Sequence, residues 1–215
     1  NFATLNPLDN YYQSSTFSEG NCKIATASSP YTPNFSTIGV SSGKWYVEVK
    51  QGSGGGDSIP GVVSTQSTGS QDKLGKYAND WGIYQHNGNI INNDSESTSY
   101  ASSWSADDII GIYLDLDNNK LYFAKNGTIE NSGTGISITA PASTPLGAYF
   151  FAVCDYWGAG TSSFELNFGG CPAFAISSGN ADANDYGNFE YDPSDDGNSS
   201  FDSAAKDFYA LNTKN

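Results

Sequence analysis

Gly39-Val40-Ser41-Ser42-Gly43 has the G-x-S-x-G spacing of serine hydrolases, where a strained turn lifts a serine toward a histidine base. That chemistry needs a strand-to-helix elbow, with the acid and the histidine arriving later in the chain. Here the pattern runs straight into GKWYVEVKQ, a strand-like sequence, and His86 is the one histidine. A Ser/Gly turn is the simpler reading. Glu190, Asp192 and Asp195 are spaced rather like the carboxylates of a β-sandwich glycosidase, in which two carboxyls are held about 5–5.5 Å apart across a sugar cleft. Pro193 interrupts them, so a solvated acidic loop is expected. Asp115 and Asp117 share one strand face beside a turn and read as surface residues. Asp192, Ser194, Asp196 and Gly197 echo the start of a calcium loop, yet Ser203 stands where the bidentate Glu belongs. A looser oxygen-ligand calcium site drawing on Asp192, Asp196 and Asp202 remains a candidate. No other cofactor is expected. His86, next to Asn87-Gly88, reads as an exposed turn residue. Cys22, Cys154 and Cys171 lack the paired spacing of a structural zinc site, and sequence alone does not decide whether any two are bridged.

The aromatic residues offer more. Tyr77, Trp81, Tyr100, Trp104, Tyr156 and Trp157 lie in or next to expected loops, where flat rings can stack on sugars or give a partner contact area at low entropic cost. The candidate ligand-binding set is Tyr77, Tyr100, Trp104, Asp155, Tyr156 and Trp157. Tyr156 and Trp157, at a strand end beside a Gly-rich turn, are the best placed for exposure, and Trp81 is the most suited to burial.

What must position these residues is a β scaffold. Ile109–Gly127 has two β-branched and aromatic runs joined across Asp117-Asn118-Asn119, a strand–turn–strand hairpin with Leu114 and Leu116 facing a core. Gly43–Gln51 alternates as a strand, with Trp45, Val47 and Val49 on one face and Tyr46, Glu48 and Lys50 on the other. Further strands are expected at Ile59–Thr65, at Ile136–Thr139 and at Ser163–Phe168, with a hairpin over Trp81–Gln85 and Ile90-Ile91. Gly147–Tyr156, apolar on both faces, reads as a central strand. Residues Asn1–Ser42 read as an arm with edge strands around Cys22–Ala27, residues 43–172 as the core, and 173–215 as an acidic extension that packs back. One short helix is expected near Ser203–Phe208. The loops left to make contacts are Gln51–Ile59, Ser67–Lys76, Asn92–Ser103 and Tyr156–Thr161.

Bulk properties narrow the function classes. The 215 residues carry 14% aromatics and a net charge of −14, with nine lysines and no arginine. Such a chain is poorly equipped to neutralise phosphates, read bases or sit on an anionic membrane. No apolar run is long enough to span a bilayer, and no signal-peptide pattern is present. The acidic balance suits an extracellular or saline setting. A chain that starts at Asn1 and contains no Met is expected to be a processed product or a piece of something longer.

GKWYVEVK, DDIIGIYLDLDNNKLYFAKNG and AYFFAVCDYWGAGTSSFELNFGG resemble, in order and spacing, the three signature blocks of the SPRY domain. Val47 departs, since members usually carry another aromatic nearby. The flanks NFATLNPLDN, STIGVSSGKWY and NFEYDP…DFYALNTKN are similar to those of SPRY-containing proteins of tailed, especially marine, bacteriophages. Their closing motif is compact, whereas here Ser194–Lys206 is inserted and Asp207 replaces a Gly. The resemblance implies an all-β fold, a bent antiparallel β-sandwich of the concanavalin-like jelly-roll kind. It also implies partner recognition through loops at one end, without catalytic apparatus or an obligatory cofactor. The expected role is a virion protein, forming homo-oligomers within the particle. It would bind other virion proteins or a bacterial surface glycan or protein receptor, as a tail fibre, adhesin, or capsid or tail decoration. A polysaccharide hydrolase or lyase on a lectin-like sandwich, and a cellular SPRY adaptor that binds a peptide, are the alternatives.

Overall fold

Short apolar, β-branched and aromatic runs, several of them alternating with period two, form strands spread from Thr16 to Ala210. The computed structural model describes residues 1–9, 15–26, 31, 33–52, 57–67, 69, 72–97, 99–156, 161–193 and 207–215. Among these, helical structure is confined to the 3-10 turns Glu19–Asn21, Asn131–Gly133 and Pro141–Ser143.

One sheet has nine strands. They are β1 (Thr16–Ser18), β2 (Lys23–Ala25), β4 (Lys44–Gln51), β9 (Ile109–Asp115), β10 (Lys120–Lys125), β11 (Thr128–Ile129), β12 (Ile136–Ser137), β14 (Ser163–Asn167) and β15 (Tyr209–Ala210). Its main path runs β1-β2-β14-β4-β9-β10-β11. The other sheet has six, in the order β3 (Asn34–Val40), β13 (Tyr149–Asp155), β5 (Ser58–Val63), β6 (Trp81–Ile83), β7 (Ile90–Asn92) and β8 (Ser95–Ser97). Every pairing is antiparallel except that of β15, which lies parallel to β4 with Tyr209 opposite Trp45 and Ala210 opposite Tyr46. β14 pairs with the second half of β4, so β15 takes up its first half.

The sheets face each other across a core that includes Val47, Val49, Ile110, Ile112, Leu114 and Phe123 from one and Val62, Ile83, Tyr149, Phe151 and Val153 from the other. This two-layer all-β sandwich is the architecture the sequence predicts. The hairpin turn also falls as expected, with Asp115 opposite Lys120.

Three elements differ from the sequence reading. The segment taken as arm contains β3, a full edge strand paired with β13. Its mixed pattern hides it, because Gly39 leaves room for the Phe150 ring that packs against its backbone. The loop after β7 contains β8. The helix expected near Ser203–Phe208 falls largely outside the described residues, and the chain beyond it is the strand β15.

The outer faces are covered too. On the nine-stranded sheet, the Tyr46 and Tyr113 rings lie tilted against each other at 4.4 Å, Phe189 meets Tyr46 edge-on at 5.0 Å, and Phe208 meets Tyr113 edge-on at 5.1 Å. Gly111 makes this possible, since a Cβ there would lie 3.0 Å from the Tyr46 ring. Burying Phe189 and Phe208 contributes about 1.5–3 kcal/mol each. The C-terminal chain is therefore a strap over an aromatic face. Its end clasps the N-terminus: Ala3 N–H donates to Leu211 O (2.9 Å) and Thr213 N–H to Asn1 O (2.9 Å).

The covered face corrects the reading of Asp115. It does lie opposite Leu114 on the outer side, but it is fully buried rather than wet. Asn118 supplies its backbone N–H (3.0 Å) and Nδ2 (2.8 Å), and Lys44 Nζ approaches to 3.9 Å. Asp117 is exposed as expected.

Candidate functional site

At one end of the sandwich, four segments that are remote in sequence meet around Tyr156. Each belongs to one of the four loops expected to make contacts. Tyr156 N–H donates to Asp57 O (2.7 Å), which ties the end of β13 to the start of β5. Lys73 Nζ lies 4.6 Å from the centroid of the Tyr156 ring and donates to its hydroxyl (3.3 Å). The same ammonium pairs with Asp94 at 2.8 Å. Burial alone would lower the Lys73 pKa, but the bonds to Asp94 and Tyr156 hold it above the ordinary lysine value.

Two further rings enclose the cluster. Tyr84 meets Tyr156 edge-on at 5.0 Å, and Tyr31 lies 5.9 Å from it. Tyr84 donates its hydroxyl to Asp57 Oδ1 (2.9 Å), and burial, followed by that bond, pushes the hydroxyl pKa up. His86, exposed as expected, extends the ring set at 5.9 Å from Tyr84. Lys73 and Asp94 neutralise each other, whereas Asp57 accepts the Tyr84 hydroxyl and forms no ion pair among the described residues. Tyr31 and Tyr84 are themselves buried and back the half-buried Tyr156, so the surface offers part of the Tyr156 side chain with an acidic rim and a carboxylate acceptor beside it.

The other sequence candidates fall into distinct places. Tyr77 is half-buried beside this region and donates to Asp72 (3.0 Å). Asp155 is 2% exposed and accepts from Thr26 Oγ1 (3.1 Å) and Ser162 N–H (3.3 Å), so it ties β13 to the other sheet. Burial raises its pKa. Tyr100 and Trp104 differ from expectation. They are 8% and 5% exposed and pack in the core between the sheets, where Tyr100 meets Phe123 edge-on at 6.0 Å. Large rings next to a polar loop are drawn into the sandwich by the apolar area they bury, which leaves no face for a ligand. Trp81 is half-buried against the same core. Trp157, Asp196 and Asp202 lie outside the described residues. Among the described residues no group of three or more His, Cys, Asp or Glu could hold a metal ion.

Of the carboxylates considered for glycosidase chemistry, Asp195 lies outside the described residues. Asp115 is held on the nine-stranded sheet, Asp192 is half-buried within the strap, and Glu190 accepts from Ser177 N–H (2.6 Å) and its hydroxyl. An open groove of about 250 Å³, lined by Phe35, Leu146, Phe150 and Asp9 among others, includes none of the sequence candidates.

Tyr31, Asp57, Lys73, Tyr84 and Asp94 were not among the residues singled out from sequence. Only Tyr84, closing the strand-like WGIYQ run at a hairpin turn, carried a local signal. The rest become neighbours through sheet order alone.

A family model described as the SPRY domain matches residues 43–170. The chain belongs to the SPRY domain family. The matched segment begins just before β4 and ends after β14, so the N-terminal segment and the strap lie outside it. The SPRY domain of human HERC1 superposes with a TM-score of 0.60 at 18% identity, covering 75% of this chain and 96% of that one. At that identity the likeness speaks for the fold alone. No curated protein matches the chain. SPRY domains are protein-interaction modules, generally without catalytic activity.

Proposed function

We propose that this SPRY domain is a non-enzymatic binding module whose partner surface is the loop end centred on Tyr156. The observation that carries this reading is convergence: Asp57, Lys73, Asp94 and Tyr156, from separate loops, touch one another. A scaffold that gathers a half-buried tyrosine and an acidic rim from four loops is suited to recognition of a protein surface. Alanine at Tyr156 is expected to weaken partner binding at least tenfold while the fold persists. Unchanged binding would remove the loop end from the reading.

At a finer level, we propose a virion protein of a tailed phage, displayed on the particle surface and assembled there as homo-oligomers. It would attach to a bacterial surface receptor or decorate the capsid or tail through other virion proteins. The support is the likeness of the flanking sequences to phage SPRY proteins, together with an acidic, arginine-free composition. Gold-labelled antibody raised against the chain should decorate intact particles, on head or tail. Particles that stay unlabelled while the protein is found only in infected-cell lysate would defeat it.

A further inference from the structure

We propose that Cys22 and Cys171 form an intramolecular disulfide under oxidising conditions, joining the start of β2 to the turn that follows β14. In a strand, a residue's N–H and C=O point to the same side. Leu166 N–H donates to Cys22 O (2.7 Å), while Leu166 O accepts from Ala173 N–H (3.2 Å). Cys22 N–H, which a regular ladder would offer to Leu166 O, instead donates to Glu19 O (3.1 Å). Ala173 therefore fills the ladder position next to Cys22, and Cys171 is two residues away across Pro172. Ala173 and Cys22 also pack in the same core. Burial first, and then the charge of Cys171, push the Cys22 thiol up to about 11.

Their environments divide the roles. Cys171 is exposed, and Cys22 is buried. With oxidised glutathione as oxidant, the Cys171 thiolate attacks one sulfur, forming a mixed disulfide and releasing one glutathione thiolate. Cys22 loses its proton to solvent and attacks the Cys171 sulfur, and the second glutathione leaves as thiolate. Two protein thiols are oxidised, one glutathione disulfide is reduced, and the two protons finish on the two glutathiones. Cys154, buried against the other sheet with its thiol donating to Asp155 O (3.2 Å), stays reduced.

The test is oxidation of the full chain with oxidised glutathione, followed by unfolding in alkylating agent and peptide mapping. The expected product is lighter by two hydrogens, has a single alkylated cysteine, Cys154, and yields one cross-linked peptide pair containing Cys22 and Cys171. Its Tm should exceed that of the reduced protein by roughly 5–10 °C, because the bridge closes a long loop. Cys171→Ser, at an exposed position, should retain the fold, form no cross-link and show no Tm difference. A stable glutathione adduct on Cys171 with Cys22 free, or a Cys171–Cys171 dimer, would overturn the proposal.

Discussion

The Lys73 ammonium lies over the Tyr156 ring, 4.6 Å from its centroid, while it pairs with Asp94 at 2.8 Å. One side chain thereby fastens three loops together and fixes the tilt of the ring a partner would meet. Lys73→Met keeps the apolar stem and removes the charge. It should cost about 1 kcal/mol of stability in urea, since the pair is partly exposed. It should also weaken partner binding more than that figure implies, because the ring loses its tether. Equal effects on stability and binding in the same preparation would show that the ring needs no tether.

Glu48 makes stability depend on pH. Buried on the outer face of the nine-stranded sheet, it accepts from Tyr191 N–H (2.8 Å), Glu190 N–H (3.1 Å), Asn167 Nδ2 (2.9 Å) and the Tyr46 hydroxyl (3.2 Å). Burial outweighs these bonds and raises its carboxyl from 4.5 to about 7, and burial likewise raises Asp80 from 3.8 to about 7. A carboxyl whose folded value exceeds its unfolded one holds more protons in the folded state. Its stabilisation is therefore fully present below the unfolded value and is lost as pH rises through the folded value. Unfolding free energy should fall from about pH 4 to about pH 8 by several kcal/mol. Glu48→Gln should flatten part of that slope. A wild-type curve that rises across the same window would contradict the assignment.

The strap can be tested by its anchor. Phe189 is fully buried against Tyr46, so Phe189→Ala should cost about 3–5 kcal/mol if the strap and sandwich unfold together. If the strap parts first, the loss appears as faster amide exchange at residues 186–193 with the sheets still protected. Hydrogen exchange read by mass spectrometry distinguishes the two. No change in either quantity would mean that the aromatic face does not hold the strap.

Trp104 separates core from contact surface. Trp104→Ala should destabilise the fold by about 3–5 kcal/mol, as expected for a large ring lost from a packed interior. Below its lowered Tm the variant should bind a partner as well as the wild type. A binding defect in fully folded protein would return Trp104 to the surface.

Much of the architecture can be read directly from the chain. The hairpin over Ile109–Gly127, the strand at Gly43–Gln51 and the central strand ending at Asp155 are set by local alternation and turn residues, which sequence displays. β3 was hidden by the mixed pattern around Gly39, and Asp115 for a different reason. Whether an outward residue meets water depends on what lies over the sheet, and the strap that covers Asp115's face comes from residues far along the chain. The site was half legible. Which loops gather, and Tyr156 among them, followed from strand ends. Tyr31 and Lys73 gave no sign, since their proximity to Tyr156 is a product of strand order. Tyr100 and Trp104 misled because a ring next to a polar loop looks the same on paper whether it points outward or inward.

The pairing of residue 1 with residue 213 has a mechanical side. Asn1 and Thr213 are the outermost rungs of a short antiparallel ladder, so tension applied through the two termini peels its hydrogen bonds one at a time instead of shearing them together. Pulled in this way, the molecule should yield first by a small, low-force extension that leaves both sheets standing. Single-molecule stretching would register it as a step before the main rupture.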